Sequence, residues 1–455
     1  MKQCLDYIRR FAIKNGNNVY IVGGYVRDKF INNNPTDIDI VYDGCVDNLI
    51  NYLKAEGYKI IFIKEELHMY KVILNYSTID IVKMKGNNIL SDLSKRDYTV
   101  NAIAQNLIDE SIIDPFNGVK HIKLKLLKQV NENSLSQDRI RILRGIRLKL
   151  KYNMKFSLET EKNLRQQAKY IKQSTKERFL NEFMNIIECD KDGNAFKVMD
   201  KYEVLREIIP YIDELKSVGK CKYHKVNAYT HMNTVYKVYK EVVSSKIKLR
   251  GIENIEFYMK IGNHYLKDYI AVAAFTHDIG KYLCYNKSKN SVSFKGHDEV
   301  GAEIMNKWCN YWLFPKYATK VIVNIIKGHM QPFKLIKSQI KDYKKNFYKF
   351  FNEYGDMTPY ILIIYFCDMY ATYLYLEDSK KCKTYKQFIE NAFNEYNRYK
   401  MIKKNRIING TDVINMTHIT GRRVKEILEI VDEERYIGKI NNRTQCEKFI
   451  KKFIM

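Results

Sequence analysis

No Cys-x-x-Cys pair occurs in the chain, and its nine cysteines are strewn from Cys4 to Cys446. An odd, dispersed set of this kind excludes a disulfide framework and a cysteine-built zinc site, and reads as reduced thiols in a cytosol. Proline is scarce, with six residues in 455, so little interrupts helical periodicity from Leu135 onward. Internal repeats and low-complexity linkers are absent. The N-terminal Met1-Lys-Gln-Cys-Leu-Asp-Tyr-Ile-Arg-Arg carries charges throughout, which predicts an amphipathic helix start and no signal peptide. The most apolar stretch, Tyr360 to Leu376, holds Asp368 at its centre. It is short for a membrane span, so a buried helix, no membrane and a cytoplasmic location are expected.

A hydrophobic content of 45% is ample for packed cores and excludes a disordered chain. The length predicts about three compact units at roughly 150 residues each. A net charge of +26 and a pI near 9.4 imply a polyanionic partner, nucleic acid above all. A membrane surface is the alternative, but no basic amphipathic segment or lipidation signal supports it. Residue usage biased toward Lys, Asn, Ile and Tyr is the plainer account of the charge.

Strand-like runs at Asn18–Val22, Asp37–Val41, Tyr58–Ile63, Tyr70–Leu74 and Thr78–Val82 alternate with short helical segments, which predicts an α+β head with a small mixed sheet. Ile112 to Gly118 reads as a last strand and turn. Helical patterns follow. The division expected is 1–128 head, 129–215 helical neck, 216–400 helical body and 401–455 helical tail, with joints near Asp190–Gly193, Lys216–Lys225 and Lys400–Asn409.

Asp37 and Asp39 follow a tight Gly23-Gly24 turn in Ile21-Val-Gly-Gly-Tyr-Val-Arg-Asp28. On a strand, residues i and i+2 share a face, so Asp37-Ile38-Asp39 sets two carboxylates side by side. Such neighbours repel unless protons or cations intervene, and a pair of Mg²⁺ ions is the usual answer. Gly23-Gly24 lets bare backbone N–H groups approach a polyphosphate. Asp-x-Asp and Gly-Gly are each common on ordinary surfaces. Their order and spacing, with Arg27-Asp28 between, make a nucleotide triphosphate site.

Asp138, Arg141, Arg144 and Arg147 recur at every third residue, which on a helix makes one polar ridge. A solvated basic face is the bland account. With the head's carboxylates present, the ridge gains a second meaning. An Asp carboxylate accepts from the exocyclic amine of cytosine or adenine while an Arg donates to the neighbouring ring acceptor. Uracil and guanine put a carbonyl oxygen there and are rejected. Between the two groups lies Asp92-Leu-Ser-Lys-Arg-Asp-Tyr-Thr-Val-Asn-Ala102. Its Arg96, Asp97 and Asn101 are candidates for phosphate and ribose contacts, or members of an N-capped helix with ordinary charges.

Gly23-Gly-Tyr-Val-Arg-Asp28 with Asp37-Ile-Asp39, Lys95-Arg-Asp-Tyr-Thr-Val-Asn-Ala102, Gln137-Asp-Arg-Ile-Arg141 and Thr175-Lys-Glu-Arg178 occur in order over residues 20 to 185. Together they resemble the metal and triphosphate, ribose-selecting, base-reading and helix-bracing motifs of the class II tRNA nucleotidyltransferases and bacterial poly(A) polymerases. Asn409-Gly-Thr-Asp412 and Thr420-Gly421 resemble that family's tail. Gln137 stands where the family has Glu. The connection from Asp80 to Asp92 is short, where CCA-adding members carry a longer loop associated with switching from CTP to ATP. This resembles members that add only two cytidines.

The resemblance implies two-metal nucleotidyl transfer from CTP, with ATP as a second substrate, to the tRNA 3′ end. Asp37 and Asp39 would be the catalytic Mg²⁺ ligands. Gly23, Gly24, Arg27, Arg96, Asp97, Asn101, Asp138, Arg141, Arg144 and Arg147 would bind the nucleotide. Asp80 is a candidate third carboxylate on an adjacent strand, or part of an ordinary edge strand over Ile79-Asp80-Ile81. The basic helical body would clamp the acceptor stem, and the basic tail from residue 400 would reach the tRNA elbow. Alternatives are addition of CC alone, a poly(A) polymerase, and an RNA-binding phosphohydrolase with an inactive head.

A separate series, His231, His277-Asp278, His297, His329 and Asp368, resembles the HD phosphohydrolase domain across residues 225 to 375. Imidazoles and carboxylates suit a divalent metal that activates water against a phosphoester, and the ligand types leave its identity open. Lys281 is the candidate phosphate contact. The resemblance links such domains to removal of 2′,3′-cyclic or 2′-phosphates from damaged tRNA ends; a purely structural metal is the alternative.

Overall fold

The computed structural model describes residues 1–31, 35, 37–64, 68–219, 225–288, 292–337 and 343–454. Part of the expected joint at Lys216–Lys225 lies outside these. The chain forms two compact units, residues 1–189 with 198–208, and residues 190–197 with 209–455. The expected head falls in the first and the expected body and tail in the second, while the expected neck (129–215) divides, its residues 190–197 and 209–215 belonging to the second.

The first unit is built on a seven-stranded mixed sheet in the order β3-β4-β5-β2-β1-β6-β7. Its strands are β1 (Val19–Val22), β2 (Asp37–Tyr42), β3 (Lys59–Lys64), β4 (Met69–Ile73), β5 (Thr78–Lys83), β6 (Ala104–Asn106) and β7 (Ile112–Ile113). Only β2 and β5 pair in parallel; the other neighbours are antiparallel. Helices α1 (Lys2–Lys14) and α3 (Val46–Ala55) pack together through Phe11 stacked on Tyr52. Between α1 and α3 in sequence comes α2 (Gly24–Phe30), which begins directly after β1.

Alternation along β2 explains the site. Ile38 and Ile40 are buried on one face. On the other, Val41 joins Ile89 and Leu93 of α4 (Ile89–Ser94) in a core cluster, while Asp37 and Asp39 extend beyond its edge. After α5 (Gly118–Lys123) come α6 (Ser134–Gln137), α7 (Ile140–Tyr152), α8 (Leu158–Ala168) and α9 (Lys176–Cys189). Ile140, Leu143 and Ile146 form the buried stripe of α7, as a 3.6-residue period requires.

The second unit is helical, with two short hairpins. The apolar stretch forms the helix Thr358–Leu376, whose residues Ile361 to Asp368 are all buried. Together with the preceding turn and helix, it passes for a membrane span by length and composition, but over half of the tested window is covered inside this fold. Asn409 and Asp412 form a reciprocal capping box at a helix start in the tail. The eight described cysteines are free thiols.

Candidate functional site

In the head, β5 sets Asp80 directly beside Asp39 in register. Asp37 turns to its neighbour strand, accepting from the Thr78 amide at 3.2 Å and the Thr78 hydroxyl at 2.9 Å. Asp80 lies 3.1 Å from Lys71 Nζ on β4. Asp39 opens into a cleft of about 740 Å³. Although its side chain is open to the cleft, the walls displace bulk water, and burial raises its pKa. Arg96 pulls against this and Asp80 adds to it. Two adjacent carboxylates, with burial opposing the ionisation of Asp39, fit a divalent cation, which would relieve both the desolvation and the repulsion.

Nine Lys and Arg side chains and four aspartates line the cleft, an excess suited to a polyphosphate. Gly23, at φ 70°, caps α2. A Cβ there would stand 3.0 Å from Arg96 Nη1 and 3.5 Å from Asp39 Oδ2, so glycine is what lets the turn sit against both. Its amide donates to the Ile103 carbonyl at 3.3 Å. Gly24 also lines the cleft. Arg27 is buried, with its guanidinium committed to Asp28, Asn101 and Tyr152. Asn101 donates to Asp97 at 2.9 Å, and Asp97 accepts from Arg144 at 3.2 Å. Burial pushes the Asp97 pKa up, but Arg144, Asn101 and the Tyr98 amide outweigh it and hold the carboxylate ionised. Arg96 donates to Asp92 at 3.0 and 3.2 Å.

The expected base-reading group departs from a continuous helical ridge. Asp138 has extended backbone (φ −146°, ψ 102°) between α6 and α7, and its Oδ1 accepts the Ile140 amide at 3.3 Å. Aspartate satisfies amides at a helix start better than it extends a helix, so the helix begins after it. Its Oδ2 accepts from Arg178 of α9 at 2.6 Å. Arg141 bonds the carbonyls of Lys95, Arg96 and Ser134. Arg144 and Arg147 share Glu182, at 3.6 Å and 2.8 Å. All four line the cleft.

Glu182, Asp92 and Tyr152 were not foreseen from sequence. Glu182 lies four residues beyond Arg178, and Asp92 four before Arg96, a helical spacing that could have exposed both. Tyr152 carried no such signal.

In the second unit, helix ends converge. His231 lies in the first turn of the helix Ala228–Val243, and His277-Asp278 end the helix Leu266–Thr276. His297 opens the helix His297–Tyr311, His329 ends Lys316–Gly328, and Asp368 comes from Thr358–Leu376. All six are buried. The Nδ1 atoms of His277, His297 and His329 lie 3.0, 2.8 and 2.6 Å from the carbonyls of Ala274, Phe294 and Ile326. A carbonyl only accepts, so each Nδ1 carries a proton and each Nε2 is turned inward. His231 Nε2 is 2.8 Å from Asp368 Oδ1.

Asp278 divides its oxygens. Oδ2 faces His277 at 3.2 Å and His231 at 3.8 Å; Oδ1 faces His297 at 3.2 Å and His329 at 3.8 Å. Two triads that could each hold a metal thus share one carboxylate. Burial and the neighbouring His297 and His277 take the His329 pKa down to about 3, which keeps its imidazole neutral. Burial opposes ionisation of Asp278, but His277 and Lys281 outweigh it and hold the carboxylate well below its usual range. Lys281 is itself buried, with Nζ 2.6 Å from Asp278 Oδ2. Inward imidazole nitrogens around ionised carboxylates fit a divalent metal.

The family model described as the poly A polymerase head domain matches residues 19–128. The probable RNA and SrmB-binding site of polymerase A matches 153–216, and the HD domain 255–373. The chain is similar to a CC-adding tRNA nucleotidyltransferase of Thermus thermophilus, 21% identical over 94% of this chain and 92% of that one. It is also similar to an A-adding tRNA nucleotidyltransferase of Deinococcus radiodurans, 21% identical over 95% of each. A solved CCA-adding enzyme complexed with ATP has the same fold, with a TM-score of 0.71 and 19% identity over 100% of this chain and 96% of that one. The motifs, the three matched segments in their order and the relatives along nearly the whole length agree: the chain carries a poly A polymerase head domain, the RNA-binding segment that goes with it and an HD domain, and it is similar throughout to tRNA nucleotidyltransferases.

Proposed function

We propose that this protein adds nucleotides to the 3′ end of tRNA without a template, taking CTP and stopping after two cytidines. The observation carrying the transfer is Asp39, paired in register with Asp80, lining a cationic cleft that Asp138 and Arg141 also line. Asp37 and Asp39, with Asp80 adjacent, would hold Mg²⁺, which when bound lowers the pKa of the attacking hydroxyl and offsets charge on the departing pyrophosphate. The residues do the rest. Arg144, Arg147 and the turn at Gly23-Gly24 seat the phosphates. Asp97, kept ionised, accepts from the ribose, and Arg96 steadies the same end. Asp138, steered by Arg178, accepts from the cytosine amine, and uracil meets an acceptor instead.

Termination at CC is supported by the connection between β5 and α4. Only Met84 to Asn88 lie between these elements, and Asp92 ties the Lys85 amide back at 3.1 Å. Among the described residues, that connection is too short to reshape the pocket for adenine. The test uses tRNA transcripts ending before the CCA, and after CC, each with CTP or ATP and Mg²⁺. Two cytidines on the first and nothing on the second is the expected result. Adenosine added to the CC end would refute termination, and long A tracts would favour a poly(A) polymerase.

For the HD site we infer hydrolysis of phosphoesters at RNA ends, with Asp278 common to two sets of residues that would each hold a cation. His231, His277 and Asp368 would serve one cation, His297 and His329 the other, and Lys281 would lie beside the phosphate. The basic surface fits the acceptor stem and elbow of tRNA, and both activities belong to the cytoplasm.

A further inference from the structure

Arg27 is 7% exposed, and every edge of its guanidinium is used. Nε donates to Asp28 Oδ1 at 2.8 Å, Nη1 to Asn101 Oδ1, and Nη2 to the Tyr152 hydroxyl at 2.8 Å. Its Cζ lies 4.7 Å from the centre of the Tyr152 ring. The hydroxyl in turn donates to Asp28 Oδ1 at 2.8 Å. A guanidinium so enclosed is a poor phosphate ligand and a good pin.

The links form a closed circuit anchored twice on one helix. Tyr152 ends α7. From it the contacts run to Arg27, to Asn101, to Asp97 and back to α7 at Arg144. A helix of 13 residues is a rod of about 20 Å. Its front end is fixed by Arg141 on the Lys95 and Arg96 carbonyls, and its far end by Tyr152. Arg27 belongs to α2, which opens at Gly24 directly beside Asp39's cleft. The two halves of nucleotide recognition, base and triphosphate, therefore share one frame.

We propose that Tyr152 is a positioning residue that, through Arg27, registers the base-reading helix against the phosphate turn and so sets nucleotide selectivity. The inference rests on the transferase reading. The ring–guanidinium contact and the hydroxyl contribute separately, so Tyr152→Phe keeps the stacking and loses the two hydrogen bonds, whereas Tyr152→Ala loses both.

The experiment measures kcat/KM for CTP and for UTP on the truncated tRNA with the full chain and Mg²⁺. Calorimetric Kd values for both nucleotides and melting curves accompany it. Tyr152→Ala should lower the CTP:UTP ratio about tenfold, with Tyr152→Phe between it and the parent. A ratio that stays constant while both nucleotides weaken equally, or while only the melting temperature falls, would overturn the proposal. If Tyr152→Ala does not fold, the ratio in Tyr152→Phe decides by the same criterion. A parent chain that adds nothing sinks the transferase reading, and the Kd ratios then decide the role of Tyr152 on their own. A parent that binds both nucleotides alike overturns both.

Discussion

Gly280 lies in the turn after His277-Asp278, and its replacement tests the proposed metal centre without removing any candidate ligand side chain. A Cβ on it would stand 2.2 Å from the His297 carbonyl oxygen and 2.7 Å from the Gly301 amide nitrogen. Both are backbone atoms at the start of the helix His297–Tyr311, so no rotamer change relieves them. That helix start must recede by roughly 1 Å before the contact becomes ordinary. Overpacking of this kind costs about 1–3 kcal/mol, which for a unit of this size lowers Tm by roughly 5 °C. The same recession carries His297 Nε2 away from Asp278 Oδ1, now 3.2 Å distant. Weakened support of a ligand costs on the order of 10–100-fold in metal affinity. Gly280→Ala should therefore melt earlier and lose metal first from the His297–His329 side, read by differential scanning calorimetry and by Mn²⁺ titration followed by electron paramagnetic resonance. Nucleotide addition by the head should be unchanged. A variant with parental Tm and parental Mn²⁺ affinity would refute the packing argument.

Asp39→Asn should reduce nucleotide incorporation by on the order of 10³-fold, since a cation ligand is lost. It should also raise Tm of the magnesium-free chain at neutral pH. The Asp39 pKa is raised in the fold, so the folded state binds the extra proton and stability falls as pH climbs through that range. The gain should vanish below the ordinary Asp range, and no gain at neutral pH would refute the assigned burial. Arg178→Ala removes a 2.6 Å contact between half-exposed groups, so stability should change by about 1 kcal/mol or less. The CTP preference over UTP should nonetheless drop about tenfold by incorporation assay; a retained preference would mean that Asp138 is oriented without it. Metal analysis of the chelated and reloaded Asp39→Asn chain should find two cations bound in the HD site, falling to one in its His297→Gln derivative. One cation in both would leave the site mononuclear, and none would remove the metal reading.

Much of this was legible in the residues alone. A period of two placed Asp37 and Asp39 on one face, and a period of 3.6 made α7 a helix with Arg141, Arg144 and Arg147 on its polar side, because both patterns are local geometry. The six HD-type residues were readable as a set because few side chains ligate metals. Neighbourhood was another matter. Asp80 meets Asp39 only because β2 and β5 pair in parallel register. Asp138 leaves the helix because its own carboxylate and Arg178 satisfy it elsewhere. Glu182 finds two arginines from another helix, and Tyr152 finds Arg27 from 125 residues away. The split of Asp278 between two histidine pairs is likewise set by where four helix ends meet. Sequence spacing determines which side chains share a face; which faces come together is decided by how the elements bury their apolar surfaces against one another, and that only the folded chain contains.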